Sequence, residues 1–216
     1  MKIHHDRLNH LVAVLLSIAA TMVVLLAWMG RVGWCEARDL SPWSWDVWSR
    51  HNSQHLIDPY SLSHLEHGLA LWVLFRLAFR GKLSRSSLFI TIAAIEAVWE
   101  VAENTPMMID RYREATISLD YTGDSLLNSL SDYGMCLIGA IGASQFRLRT
   151  SIITVAILEI ICLFWIRDSL LINIIMLVYP IDAIRNWQSE LAPAIVPIQT
   201  IRCITSRSKS ALIRIL

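Results

Sequence analysis

Long apolar runs separated by short polar joints make up most of the chain, and their lengths and breaks predict six helical spans. Residues 11–30 carry no charged side chain; at 1.5 Å of rise per residue, such a run covers the roughly 30 Å hydrocarbon layer of a bilayer. A second run, 63–79, opens on His64 and His67 and closes near Arg76. The third, 86–104, is followed by Pro106, which should end it because proline cannot continue the hydrogen-bond ladder. The stretch joining it to the next span reads as a loop. Asp124-Ser125, after the Thr122-Gly123 turn, is good helix-capping chemistry and starts the fourth span, 125–145. The fifth, 151–166, stops at Arg167-Asp168, and a sixth, 169–184, follows immediately, which suggests a helical hairpin. In the long joint between the first two spans, Trp34, Trp43, Trp45 and Trp48 are crowded together. Ser41-Pro42 reads as a helix start, and Trp45 and Trp48 would share a face opposite Asp46 and Arg50, so a short Trp-rich helix lying on the outer membrane surface is expected. The fold class is therefore an all-α integral membrane protein, one membrane domain over residues 1–216.

Composition agrees. Hydrophobic residues make up 55% of the chain and charged ones 17%, with a mean hydropathy of +0.48, well outside the soluble globular range. A net charge of +1 argues against a nucleic-acid partner. The distribution of charge says more than its sum. Segments 1–10, 76–85, 145–150 and 181–216 hold thirteen of the nineteen lysines and arginines and only three acids, Asp6, Asp182 and Glu190. With six spans these segments share one side, and the excess of basic residues on the cytoplasmic side makes both termini cytoplasmic, with a basic tail over 185–216. The expected location is a bacterial inner membrane. Lys2 and Arg7 precede an apolar run that is too long for a signal peptide and has no small-residue cleavage site, so an uncleaved first span is expected. Cys35, Cys136, Cys162 and Cys203 are widely spaced and form no CxxC pair, which supports neither a disulfide framework nor a zinc knuckle.

Polar residues inside the apolar spans are the chemically informative feature. Glu96, Glu100 and Glu103 stand at i, i+4 and i+7 on one face of the third span; Asp124, Asn128 and Asp132 repeat at i, i+4 and i+8 at the start of the fourth. His64 and His67 sit at i and i+3 at the outer end of the second, with His51 and His55 upstream. Charge within a bilayer costs at least a few kcal/mol, so these stripes should face one another across a wet, outward-opening cleft. Four readings fit. In a divalent-metal site, His64 or His67 would be ligands together with Glu100, Glu103, Asp124 or Asp132, the set His64, His67, Asp124 and Asp132 being preferred. In acid/base chemistry on a lipid headgroup or lipid-linked substrate, Glu100 and Glu103 act with His64 and His67, while Arg111, Arg113, Asn104 and Asn128 hold the substrate. A proton pathway would run from Glu96 towards Glu159. A structural network would fix helix packing, helped by Gly139, Gly142 and Ala143. Glu159 and Asn173 read as partners of each other. No HExxH spacing is present, and SLSH at 61–64 lacks the flanking motifs of phosphatidic-acid phosphatases.

The stretches NSQHLIDPYSLSHLEHG, EAVWEVAENTPMMIDRYREATISLDYTGDSLLNSLSDYGM and IRDSLLINIIMLVYPIDAIRNWQ resemble the uncharacterised multi-pass inner-membrane proteins of rhizobia and their relatives over most of residues 31–190. The set SxxH, WExxEN, RYR and DYxGDSxxNSxxD carries the likeness. It implies an alphaproteobacterial plasma-membrane protein from a family without an assigned activity. Family members often have a second cysteine near Cys35, absent here. A more distant analogy, in the order His, Glu, D-x3-N-x3-D, is to VanZ-like envelope proteins.

Overall fold

A computed structural model describes residues 2–116 and 121–190. Eight helices and no strand occur among them: α1 (Lys2–Trp28), α2 (Ser61–Ala78), α3 (Arg85–Glu103), α4 (Pro106–Ala115), α5 (Leu126–Gln145), α6 (Leu148–Ile166), α7 (Leu170–Val178) and α8 (Asp182–Ser189). Local chemistry sets most of the starts. Ser84, Thr105, Ser125 and Ser169 each accept the N–H three residues on, from Ser87, Met108, Asn128 and Ile172, which satisfies a donor that the first helical turn leaves free.

Five of the helices, α1, α2, α3, α5 and α6, form the body of the molecule, and α2 against α5 is its tightest seam. Glycine makes the approach possible. A Cβ on Gly68 would stand 1.8 Å from the carbonyl oxygen of Cys136, and one on Gly139 would stand 2.0 Å from that of Leu65. Gly142 is not at this seam; its nearest neighbour is the Phe146 ring at 3.6 Å. One apolar cluster joins Leu69 and Trp72 of α2, Leu88 and Ile92 of α3, and Cys136 and Ala140 of α5. A second joins Met22 and Leu26 of α1 to Ala93 and Ala97 of α3 and to Tyr133, whose hydroxyl donates to the Leu15 carbonyl at 2.9 Å.

Among the described residues two helices are long and apolar enough to cross a membrane, Asp6–Trp28 and Leu148–Ile166, and only 17% of each apolar window is buried inside the molecule. The sixth span is not formed as a rod. α7 has nine residues and α8 eight, separated at Pro180; nine residues rise about 13 Å, less than half of a hydrocarbon core. Arg167, in the left-handed conformation at φ +52°, turns the chain out of α6. It then receives the returning α8: its guanidinium bonds the Trp187 carbonyl and Glu190, and its own carbonyl accepts from Gln188. Residues 167–190 therefore leave and return at the same end of α6.

Two further expectations are corrected. Residues 105–115 are not loop: Pro106 starts α4 instead of merely ending α3, since at the first helical position its missing N–H costs nothing. The Trp-rich stretch forms no helix. Trp43 instead pairs with Ile57 in an isolated bridge, with Ser44 donating to the Ile57 carbonyl and Ile57 to that of Pro42. These backbone groups are taken by a cross-chain partner, which outcompetes a short helix with no buried face. The remainder of the basic tail, 191–216, and Cys203 lie outside the described residues.

Gly68→Ala and Gly139→Ala should each lower the thermal unfolding temperature, by the equivalent of about 1–3 kcal/mol or more, because backbone rather than a side chain must move. Gly134 has open space around its Cβ position, so Gly134→Ala should be neutral or stabilising by up to about 1 kcal/mol. Equal effects at all three positions would refute close packing at the seam.

Candidate functional site

At one end of the body the polar faces of α2, α3 and α5 meet. His64 and His67, one helical turn apart on α2, both point at Glu96 on α3: His64 Nδ1 stands 2.6 Å from Glu96 Oε1 and His67 Nδ1 3.0 Å from Oε2. A carboxylate accepts, so each imidazole donates from Nδ1. The other ring nitrogen of His64, Nε2, faces Asp132 Oδ2 at 3.9 Å. Glu100, one turn above Glu96, is fully buried, and among the described residues neither of its oxygens has a hydrogen-bond donor; His64 Nδ1 is 3.3 Å away and bonds Glu96.

Donor atoms of His64, Glu100 and Asp132 lie within 4.8 Å of one another; so do those of Glu100, Glu103 and Asp124, and those of His64, His67 and Glu96. Glu100 thus belongs to two of the groups. The first two groups are wholly buried. A cavity of about 330 Å³ adjoins them, polar where His64, Glu96, Glu103 and Asp124 reach it and apolar along Trp99 and Ile174. Neither lysine nor arginine is among its described lining residues.

The frame around the cluster is a dense set of hydrogen bonds. Asn104 and Asp124 pair twice, Nδ2 to Oδ2 and Asp124 N–H to Oδ1, both at 2.7 Å. Gly123 precedes Asp124 at φ +94°, with the Arg31 guanidinium and Asn104 packed where a Cβ would be, so both the turn and the space require glycine. Gln54 donates to the Gly123 carbonyl, Ser125 to the Gln54 carbonyl, and Asn128 to the His55 carbonyl. Asp58 accepts from the N–H groups of Tyr60 and Ser61, which caps α2. Tyr121 donates to Asp124, and Tyr112 lies between Glu103 and Asn173. Burial, and after it the neighbouring acids, pushes both phenols well above their usual range, so they remain donors.

The structure brings together His64, His67, Glu100, Glu103, Asp124 and Asp132 and sets Asn104 and Asn128 behind them as frame. It places Arg111 and Arg113 elsewhere: Arg111 donates to the Leu177 carbonyl and Arg113 to that of Tyr121, and neither lines the cavity. Glu159 accepts from the Leu171 N–H, whereas Asn173 turns to Asp168 and Tyr112. Glu96, legible only as one member of the acidic stripe, is the group that joins the two histidines. Tyr112, Tyr121 and Asp58 are further additions. Only Asp58 carried a local signal, an acid two and three residues before backbone donors at a helix start.

Residues 26–190 match the family described as "Protein of unknown function (DUF2585)". A UPF0314 protein of Rhizobium meliloti is 42% identical over 174 residues, 81% of this chain and 88% of the relative. One from Sinorhizobium fredii is 43% identical over 82% of this chain and 89% of its own length, and one from Paracoccus denitrificans 38% over 80% and 92%. No solved structure matches.

Asp168, between α6 and α7, is buried, and desolvation raises its pKa from 3.8 to about 6 despite bonds from Ser169, Asn173 and Tyr60. The folded state therefore holds a proton that the unfolded chain releases, and this group's contribution to stability falls as pH rises from about 4 to 6. The full effect is on the order of 3 kcal/mol. Melting temperature should rise as pH is lowered from 6.5 to 4.5, and Asp168→Asn should flatten that slope; an unchanged slope would refute the assignment.

Proposed function

Since the chain belongs to the DUF2585 family, whose description assigns no activity, we propose a function from the site itself: a membrane-embedded, metal-assisted enzyme that acts on a lipid headgroup or lipid-linked substrate. Glu100 is the observation that carries this reading. A fully buried carboxyl group with no hydrogen-bond donor among the described residues, in reach of two clusters of acids and an imidazole and with no lysine or arginine among the described residues that line the adjoining cavity, must take a proton or a cation, and the ligand atoms that converge on it favour a cation. His64, Glu100 and Asp132 would hold a divalent ion, with Glu100 also placed to share a second with Glu103 and Asp124. Imidazole with carboxylate suits zinc, manganese or iron. Such an ion would polarise a phosphoryl or carbonyl oxygen and lower the pKa of a bound water. Glu96 orients both imidazoles from behind, and Glu103 with Tyr112 stands at the cavity as the acid/base pair. The cavity's apolar wall, including Trp99 and Ile174, suits the chain end of an amphipathic substrate.

Exposed apolar faces on α1 and α6 support membrane embedding, since water would penalise them. Arg7 near the start of α1, Arg76, Arg80, Lys82 and Arg85 between the end of α2 and the start of α3, and Arg147 and Arg149 at the joint of α5 and α6 belong to the helix ends opposite the cleft, which supports a cytoplasmic N-terminus in a bacterial inner membrane and an outward-facing cleft. With five crossings, α8 finishes on the outer side. A phosphatase reporter fused after Glu190 should therefore be active; an inactive phosphatase with a fluorescent cytoplasmic reporter at the same position would restore a sixth crossing.

A second reading is favoured by the bonds of Asn104, Gln54 and Ser125: a packing network without catalysis. Elemental analysis of detergent-purified protein separates the two. The enzyme reading expects at least one equivalent of divalent transition metal at the cleft, lost in Glu100→Gln and His64→Ala with helicity retained, and metal affinity about 10–100-fold weaker in Glu96→Gln. Wild-type protein whose metal content does not respond to any of these three substitutions would eliminate it. A lowered melting temperature in Glu100→Gln would then favour the network, and pH-dependent proton flux in liposomes altered by Glu96→Gln a transport role.

A further inference from the structure

Outside the cleft, the segment between α1 and α2 holds a second convergence of ligand-type side chains, and it shares no residue with the first. Cys35 and His55 are buried, at 4% and 0% exposure, and His51 lies between them. His51 Nδ1 stands 3.3 Å from Cys35 Sγ and 3.3 Å from His55 Nε2, and all three donor atoms fall within 4.8 Å of one another.

We propose that Cys35, His51 and His55 bind a zinc ion that clips this segment together. The proton arrangement points that way. His55 Nδ1 faces the Ser41 carbonyl, which can only accept, so Nδ1 carries the hydrogen and Nε2 presents its lone pair to His51 and Cys35. A carbonyl behind a ligating imidazole is the usual device for fixing which nitrogen meets a metal. One hydrogen on His51 Nδ1 cannot serve both of its 3.3 Å neighbours well, whereas one cation serves all three atoms. The spacing also fits. With Zn–N near 2.0–2.1 Å and Zn–S near 2.3 Å, adjacent donors on a tetrahedral ion stand about 3.4–3.6 Å apart, a few tenths of an ångström from the two separations that His51 makes, and the third pair lies within 4.8 Å.

Charge and position agree with the assignment. Zinc bound to a thiolate and two neutral imidazoles keeps one positive charge, and the Asp39 carboxylate, 4.0 Å from His51 Nδ1, is at hand to offset it. The ring of Trp34 packs edge-on against His55 at 5.5 Å and shields the site. Residues 31–60 contain no helix and a single bridge, yet they supply Ser53, Gln54, His55 and Asp58 to the frame of the cleft. A chain of tight turns with left-handed residues at Arg38 and Ser53 gains much of its order from a metal clip, because such binding energy is folding energy. Zinc ligation also keeps the Cys35 thiol from oxidation.

The test uses full-length, chelator-stripped protein in detergent with cobalt(II) as the spectroscopic probe and zinc as the competitor. Wild-type protein should show a thiolate-to-cobalt charge-transfer band and tetrahedral visible bands, both displaced by one equivalent of zinc. Cys35→Ser should lose the charge-transfer band and His51→Ala should weaken zinc binding by at least about 100-fold, while Glu100→Gln, in the cleft, leaves the band intact. Should Cys35→Ser fail to fold, alkylation of Cys35 in the wild type, followed by mass spectrometry, still decides: zinc should slow it at least tenfold. Equal alkylation rates with and without zinc, a missing charge-transfer band, or protection by copper(I) but not by zinc would each overturn the assignment.

Discussion

Burying carboxylates between helices is the constraint around which this molecule is organised. Glu96, Glu100 and Asp132 are each at most 4% exposed, and a carboxylate removed from water must find donors, a proton or a cation. Glu96 finds two imidazoles, one on each oxygen, which ties α3 to α2 at two points a helical turn apart. That arrangement works only if α2 and α5 also approach closely enough for His64 to lie between Glu96 and Asp132. Gly68 and Gly139 provide the approach by letting each helix touch the other's backbone. The chemistry of the cleft and the tightest packing in the fold are therefore two aspects of one seam.

The end of the molecule that bears the cleft is built differently from the rest. Away from it, apolar side chains such as Trp72, Leu88 and Ile92 hold the helices together. At the cleft, irregular segments do the work: 53–58 and 122–125 exchange backbone and side-chain hydrogen bonds, and α4 and α7 are joined through Arg111 and Tyr112. Directional bonds position side chains more sharply than apolar contact does, which suits a region that must fix the orientation of several acids. Arg111 and Arg113 illustrate the division. Both are spent on carbonyls of neighbouring segments, and among the described residues none with a permanent positive charge lines the cavity.

Much of this was legible in the sequence. Helical spacing alone put Glu96, Glu100 and Glu103 on one face, Asn128 and Asp132 on another, and His64 beside His67, because side chains three, four or seven apart share a helix face wherever the helix lies. Ser125 as a cap followed from its side chain and its neighbours. The sixth span and the Trp-rich helix were misread for a common reason: hydropathy records what a segment avoids, not which partner takes its backbone. Trp43 pairs with Ile57 across fourteen residues, through the bonds of Ile57 with Pro42 and Ser44, and Arg167 gathers the end of α8 from twenty residues away; neither partnership has a periodic signature.

Sequence by itself thus determined the helical class, the first five long runs and the acid and histidine stripes, all of which depend on local periodicity and composition, while the family likeness rested on motifs such as WExxEN and DYxGDSxxNSxxD. Tertiary structure decided which residues meet. It made Glu96 the link between two histidines, left Glu100 without a donor among the described residues, withdrew both arginines from the cavity and drew Cys35 to His51 and His55. Those outcomes depend on how the helices are rotated and how closely they approach, and both are set by contacts between residues far apart in the chain, such as Gly68 with Cys136.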